Sequence, residues 1–510
     1  MKRRDFLGVG MGSAVAATSL SPWATLAALG ADAAAGSDGL VSPREVKLRI
    51  KPVMTNIIHT GVWEGPCRWN AIGVEDEAKN AEKSFANWSK TLQEQGLGRP
   101  GDAELLAPAH LTFNEKFTIS DEQWSRLAAD SAQADAYFVY PAGSSVSAYE
   151  IAARFGKPIL LKGLGCRNVD IAAYTRARGS EAFVATDEAE FQRQVKLLRA
   201  RKVFRETRVL FPTDRGFPAV CSVGSIWDVR DLHQRLGVAV TTIPYRELGE
   251  HMGRTLADAA FARQAEQTAD ELLRKADQSF IDKRYVVRSL QFYRTIRTLM
   301  QQHACNAFTI ECFEFCSSRL PHEWTITPCL IHSLQLNQGF ASSCEGDLGS
   351  LLAMRLLMSV AERSCHEGNS DPREAGTFRI NHSLPSLKMN GFDQPEIPYQ
   401  LGRFVSRGWG TKLVVDFMNN AEKTVTVARV DPTARKLLVL KGHLVGASGW
   451  NRDLLGCSVE AVIKPPEGRC EEFLKKRLEF GNHLQWVYGD WTAELGELAQ
   501  MLGLQAEVIA

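Results

Sequence analysis

Phe340-Ala-Ser-Ser-Cys-Glu-Gly-Asp-Leu-Gly-Ser350 carries two carboxylates, Glu345 and Asp347, separated by one glycine. A strongly apolar helix is expected to follow at once, over 348–360. An apolar run over 328–336, closed by Asn337-Gln-Gly339, precedes the stretch. Two acids at i and i+2, at a strand-like end just before a helix, can point into one cleft beside the free N–H groups of the helix start. Such a pair suits a hard divalent cation or acid–base work. The plainer alternative is that Asp347 caps the helix.

Upstream, 307–315 has strand alternation, with Thr309, Glu311 and Phe313 on one face and Ile310, Cys312 and Glu314 on the other. A long helical stretch over 256–304 precedes it, and its basic bias at 284–297 reads as a solvated face. Strand-like runs at 208–211, 219–223 and 237–243, with a helix at 226–236, make a second α/β segment from about 202. Nearer the N-terminus are a β-branched run at 47–58 and a helix at 75–95. Short apolar runs at 135–140 and 157–161 flank a helix of crossover length at 145–155, as in a doubly wound sheet. Lys162-Gly-Leu-Gly-Cys166 lacks the full glycine pattern and distal acid of a dinucleotide fingerprint.

Downstream, the polar stretch 364–379 reads as a connection. Alternating runs at 412–417, 424–430, 436–442 and 457–463, separated by regular turn signals, read as an antiparallel barrel. A helix at 470–480, another at 492–504 and a strand at 505–509 close the chain. The expected fold class is α/β: two doubly wound α/β domains, 42–201 and 202–370, then a C-terminal antiparallel β-barrel-like domain, 371–510.

The 510 residues are nearly balanced in charge, at net +1, with 45% hydrophobic residues and no basic block. That argues against nucleic acid or an acidic lipid surface as a partner. Met1-Lys-Arg-Arg-Asp-Phe-Leu7, followed by a mildly apolar stretch rich in Gly, Ala and Ser, reads as a twin-arginine signal over 1–33. The expectation is a periplasmic or secreted protein that meets the twin-arginine translocase during export and keeps no stable membrane span. Eleven cysteines, without a CxxC pair, read as a mostly buried, reduced set.

Four ordered motifs over roughly 270–510 resemble the L-arabinose and L-fucose isomerase superfamily. They are Ala307-Phe-Thr309 with acids shortly after, Cys344-Glu-Gly-Asp347, Asn381-His-Ser-Leu-Pro385 and Gly481-Asn-His-Leu-Gln-Trp-Val-Tyr-Gly-Asp490. The resemblance implies a catalytic, metal-binding acid near the first motif. Glu314 fits the spacing to Glu345 best, Glu311 is next, and Glu323 is a third choice. It places the second acid at Glu345 or Asp347 and metal-ligating histidines at His382 and His483. Carboxylates with two imidazoles suit Mn²⁺, or another divalent cation, better than Mg²⁺ or a closed zinc site. The implied activity is aldose–ketose isomerisation of a sugar through an enediol, by a homo-oligomer. The alternatives are a non-catalytic carbohydrate-binding relative, or a metal-dependent sugar enzyme of other chemistry.

Overall fold

The computed structural model describes residues 42–66, 68–142 and 146–510, so the expected signal over 1–33 lies outside the described residues. The fold is α/β, with two parallel sheets followed by a closed antiparallel barrel. In the first sheet the order is Ala103–Leu105, Leu48–Ile57, Ala136–Pro141, Ile159–Lys162, Ala182–Ala185, and Ala109–Phe113 pairs with the far half of Leu48–Ile57. These strands are short and apolar because helices cover both faces. Tyr137, Val139 and Ile159 pack against Trp124, Ile151 and Ile171 on one side. Ala136, Phe138 and Leu160 meet Leu92, Phe191 and Leu198 on the other.

The second sheet is also parallel, in the order Ala341–Cys344, Ala307–Ile310, Arg208–Pro212, Ala239–Ile243. Its register sets Cys344 beside Ile310, so the residues that follow these two strands emerge side by side. The helix Leu348–Ala361 then runs buried on nearly every side. It packs against the helix Glu188–Arg205 and against two barrel strands, Thr424–Val430 and His483–Tyr488. A helix enclosed in this way is apolar on most sides, hence its many Leu, Ala and Met, with Ser350, Arg355 and Ser359 the polar exceptions.

Six antiparallel strands close the barrel: Thr424–Val430, His483–Tyr488, His366–Arg373, Thr377–His382, Val459–Lys464 and Lys436–Ser448, which pairs back with the first. Gln505–Ile509 adds in parallel at the outside of Lys436–Ser448. Among the described residues no helix is long and apolar enough to cross a membrane.

Five local readings need correction. The alternation over 307–315 is not one strand: the strand stops at Ile310, and Glu311 caps the helix Cys312–Ser317 by accepting from the Glu314 N–H. The run at 219–223 is loop, and 256–304 is broken into the end of Tyr245–Ala257, then Ala259–Lys275 and Lys283–Gln302. The polar stretch 364–379 is mostly strand, because His366–Arg373 presents Glu367 to a polar interior instead of packing an apolar face. Thr411–Val415 pairs with Tyr399–Arg403 in a separate two-stranded sheet outside the barrel. The cysteines are less buried than expected: of the ten described, all free, four are buried.

Candidate metal and acid–base site

Glu345 and Gly346 both have positive φ, at 59° and 66°. The Asp347 N–H donates to the Cys344 carbonyl across them at 3.2 Å, which closes a tight turn. A glycine is needed at 346, where a Cβ would lie 2.9 Å from the Phe211 ring. A glutamate at positive φ costs on the order of 1–2 kcal/mol and persists where the surroundings impose it. The turn aims the Glu345 side chain across the end of the second sheet toward the barrel.

The barrel answers with two histidines. His382 ends the strand Thr377–His382, whose buried residues alternate as Phe378, Ile380 and His382. His483 begins the fully buried strand His483–Tyr488. The strand His366–Arg373 lies between theirs, and Gly368 lets the strands approach: a Cβ there would stand 2.7 Å from the Asn381 backbone. His382 Nε2 comes within 3.6 Å of Glu345 Oε1, and His483 Nε2 within 3.4 Å of Glu345 Oε2. Both Nε2 atoms are buried and make no hydrogen bond.

The other nitrogen of His483 is held firmly. Its Nδ1 lies 3.0 Å from Asp347 Oδ2, 3.3 Å from the Ser222 hydroxyl and 3.8 Å from Glu367 Oε1. Asp347 Oδ1 in turn accepts from the Ser350 N–H at 3.0 Å and from Arg429 Nη1 at 2.8 Å. With Nδ1 held by Asp347, Nε2 is left to face Glu345, an arrangement typical of metal-ligating histidines. His382 Nδ1 contacts Cys457 Sγ at 3.7 Å.

Glu311 and Glu314 separate clearly. Glu314 is consumed by the loop after Arg208–Pro212: it accepts from the Thr213 hydroxyl at 2.7 Å and from the Asp214 and Arg215 N–H groups at 2.8 and 2.9 Å. Glu311 keeps one buried oxygen, Oε1, without a partner, and burial together with the nearby Glu345 pushes its carboxyl pKa up. Glu367 also has an unpartnered Oε1, while its Oε2 accepts from the Cys344 N–H at 3.0 Å. Glu323 lies in the short helix Leu320–Trp324, and neither group of possible metal ligands around the histidines includes it.

Electrostatics follow from this packing. Burial works against the charged form of Glu345, but His382 and His483 outweigh it and hold the carboxyl at about 2. Burial likewise opposes protonation of both histidines, yet Cys457 and Glu345 raise His382, and Asp347, Glu367 and Glu345 raise His483. Glu345, His382 and His483 together could hold a metal ion, as could Asp347, Glu367 and His483. The unpartnered Nε2 atoms of His382 and His483, both buried and converging on the Glu345 carboxylate, fit a divalent cation, because without one these desolvated nitrogens are left unsatisfied.

Sequence reading missed Glu367, Ser222, Arg429 and Cys457. Glu367 sits in a polar stretch with no strand periodicity, and Ser222 in a loop that mimics a strand. Arg429 looks like an outward residue of a barrel strand but is buried. Only Cys457, at the start of an alternating run near no other motif, offered even a weak signal.

No protein-family model matches the chain. It is similar to the sulfoquinovose isomerases of Priestia aryabhattai and Priestia megaterium, each 24% identical over 343 residues, which cover 64% of this chain and 71% of the relative. The similarity is distant, and it is to a sugar isomerase.

The hydrogen-bonding of Glu314 gives a direct expectation. Glu314→Ala removes three bonds that anchor residues 213–215 and should destabilise the protein by roughly 1–3 kcal/mol. Its metal content should stay at the wild-type level. Urea unfolding and metal analysis of the dialysed variant measure the two effects separately.

Proposed function

We propose that this protein is a metal-dependent aldose–ketose isomerase related to the L-fucose and L-arabinose isomerases. The observation that carries the reading is the convergence of two unpartnered imidazole nitrogens on the Glu345 carboxylate, with Glu311 beside it. The distant likeness to isomerases of a sugar supports it.

In this reading Glu345, His382 and His483 hold the cation, with Mn²⁺ the best match to a mixed carboxylate and imidazole set. The cation would act as a Lewis acid toward the sugar oxygens at C1 and C2. Glu311 is the proton carrier: a buried carboxyl with a raised pKa and one free oxygen can take the C2 proton and return it at C1. Asp347, read from the sequence as a ligand, an acid–base group or a helix cap, caps the helix Leu348–Ala361 and in this reading orients His483. The protein would work as a homo-oligomer in the periplasm or outside the cell, after twin-arginine export. The motif Arg3-Arg4-Asp5-Phe6-Leu7 is what supports that location.

The test is isotope exchange. The Mn²⁺-loaded protein is incubated in D₂O with a panel of aldoses that includes sulfoquinovose, chosen because the relatives are named for it. Ketose carrying deuterium, or back-exchange at C2, is the expected result for at least one sugar. A sugar that binds tightly but shows neither exchange nor turnover would mark a carbohydrate-binding cleft or other chemistry.

A further inference from the structure

A second polar site lies elsewhere on the helix Leu348–Ala361. A cavity of about 500 Å³ opens between this helix, the segments 42–45 and 99–102, and Phe392 with Asp393. Arg355, Met358 and Ser359 line it from one face of the helix, with Glu362 at the helix end. Arg355 is eight residues past Asp347, about 12 Å along the helix axis at the usual rise.

Arg355 is the anomaly. It is 1% exposed, and among the described residues no carboxylate lies close enough to act on its charge. Its Nη2 donates to the Asn306 carbonyl at 2.7 Å and to Asn306 Oδ1 at 3.3 Å, and its Nη1 reaches the Gly339 carbonyl at 3.5 Å. Its Nε has no partner. Burial alone pushes the guanidinium pKa down to about 9. Of the acids around the cavity, Asp393 pairs with Arg44 at 2.8 Å, Asp102 with Arg99 at 2.9 Å and Arg199 at 3.8 Å, and Glu362 with Arg99 at 2.5 Å and Lys196 at 3.8 Å, while Glu45 accepts from the Ser42 N–H at 3.3 Å. Arg199, also buried, spends its donors on the Val46, Pro43 and Arg44 carbonyls. A buried guanidinium with no counter-charge is costly, and it is tolerated best where an anion completes the site.

We propose that this cavity binds the oxyanion group of a small metabolite, such as a phosphate or sulfonate, with Arg355 as its anchor. The volume admits an organic body along with the charged group, within the usual range for small-molecule pockets. The site is separate from the Glu345 cluster, so it stands or falls independently of the isomerase reading.

The experiment titrates the full-length protein with inorganic phosphate, glucose 6-phosphate and glucose at constant ionic strength, reading heat of binding and melting temperature. Both anions should bind saturably and raise the melting temperature, with glucose 6-phosphate the tighter and glucose inert. Arg355→Met should weaken anion binding at least ten-fold. An apolar replacement of an uncompensated buried charge should fold. Ser359→Glu leaves Arg355 in place and supplies a carboxylate one turn along the helix, so it should weaken binding by a similar factor. Saturable binding lost in either folded variant supports the site. Absence of saturable binding by the wild type, or equal binding by both variants, overturns it, and tighter phosphate than glucose 6-phosphate binding limits the ligand to the bare ion.

Discussion

Glu345→Gln should strip the protein of its divalent cation and lower isotope exchange at the sugar C2 by at least ~10³-fold, because an amide cannot supply the anionic oxygen that both imidazoles face. Loss of a group that merely orients a ligand costs about 10–100-fold in metal affinity, and loss of a ligand should cost more. Metal analysis after dialysis reads the first effect, and deuterium incorporation reads the second. His382→Ala and His483→Ala should match it in metal loss. Full occupancy in all three variants would rule out the ligand set. Binding should also release protons. In the metal-free protein the neighbouring groups hold both histidine pKa values above the ordinary 6.5, so a cation competes with protons for the imidazole nitrogens. Groups with raised folded-state values stabilise the metal-free protein below about pH 6.5, and that contribution is lost as pH rises through the raised values. Metal therefore adds most stability on the alkaline side. Calorimetry in buffers of different ionisation enthalpy should show net proton release on cation binding near pH 7.

Arg429→Met should produce the largest loss of stability, roughly 3–5 kcal/mol, since it leaves the Asp347 carboxylate buried without its cation. The guanidinium also donates to the Phe480 carbonyl at 2.9 Å and to the Gly224 carbonyl at 3.0 Å, so it ties the barrel to the second sheet and to the loop after Arg208–Pro212. Burial by itself would raise the Asp347 pKa, but Arg429 and His483 together hold it well below the usual carboxylate range. A depressed value contributes stability above the unfolded pKa of about 4, which disappears as pH falls through the folded value. In the variant, Asp347 can escape its penalty by taking a proton. The difference between wild type and variant in urea unfolding should therefore be full at pH 7 and shrink toward pH 4. A difference that stays constant with pH would mean that packing, not the ion pair, accounts for the loss.

The chain alone determined the elements whose apolar period is strong. The strand end, bend and helix around Glu345 fall where the residues place them, because Gly346 permits the bend and the run from Leu348 to Ala361 is apolar at most positions. Most parallel-sheet strands and the barrel strands Thr424–Val430, Lys436–Ser448 and Val459–Lys464 were legible as apolar or alternating runs, whereas His382 and His483 were marked only by the resemblance of the motifs around them. Only the tertiary structure decided what each acid does. Glu311 and Glu314 are three residues apart and alike in type, yet Glu314 meets the donors of residues 213–215 while Glu311 keeps a free oxygen. Glu367 and Arg429 become interior residues because strands remote in sequence bring their partners to them. Hydrophobic periodicity records which side of an element is buried, whereas the role of a buried polar group is set by the atoms it meets, and those come from elsewhere in the chain.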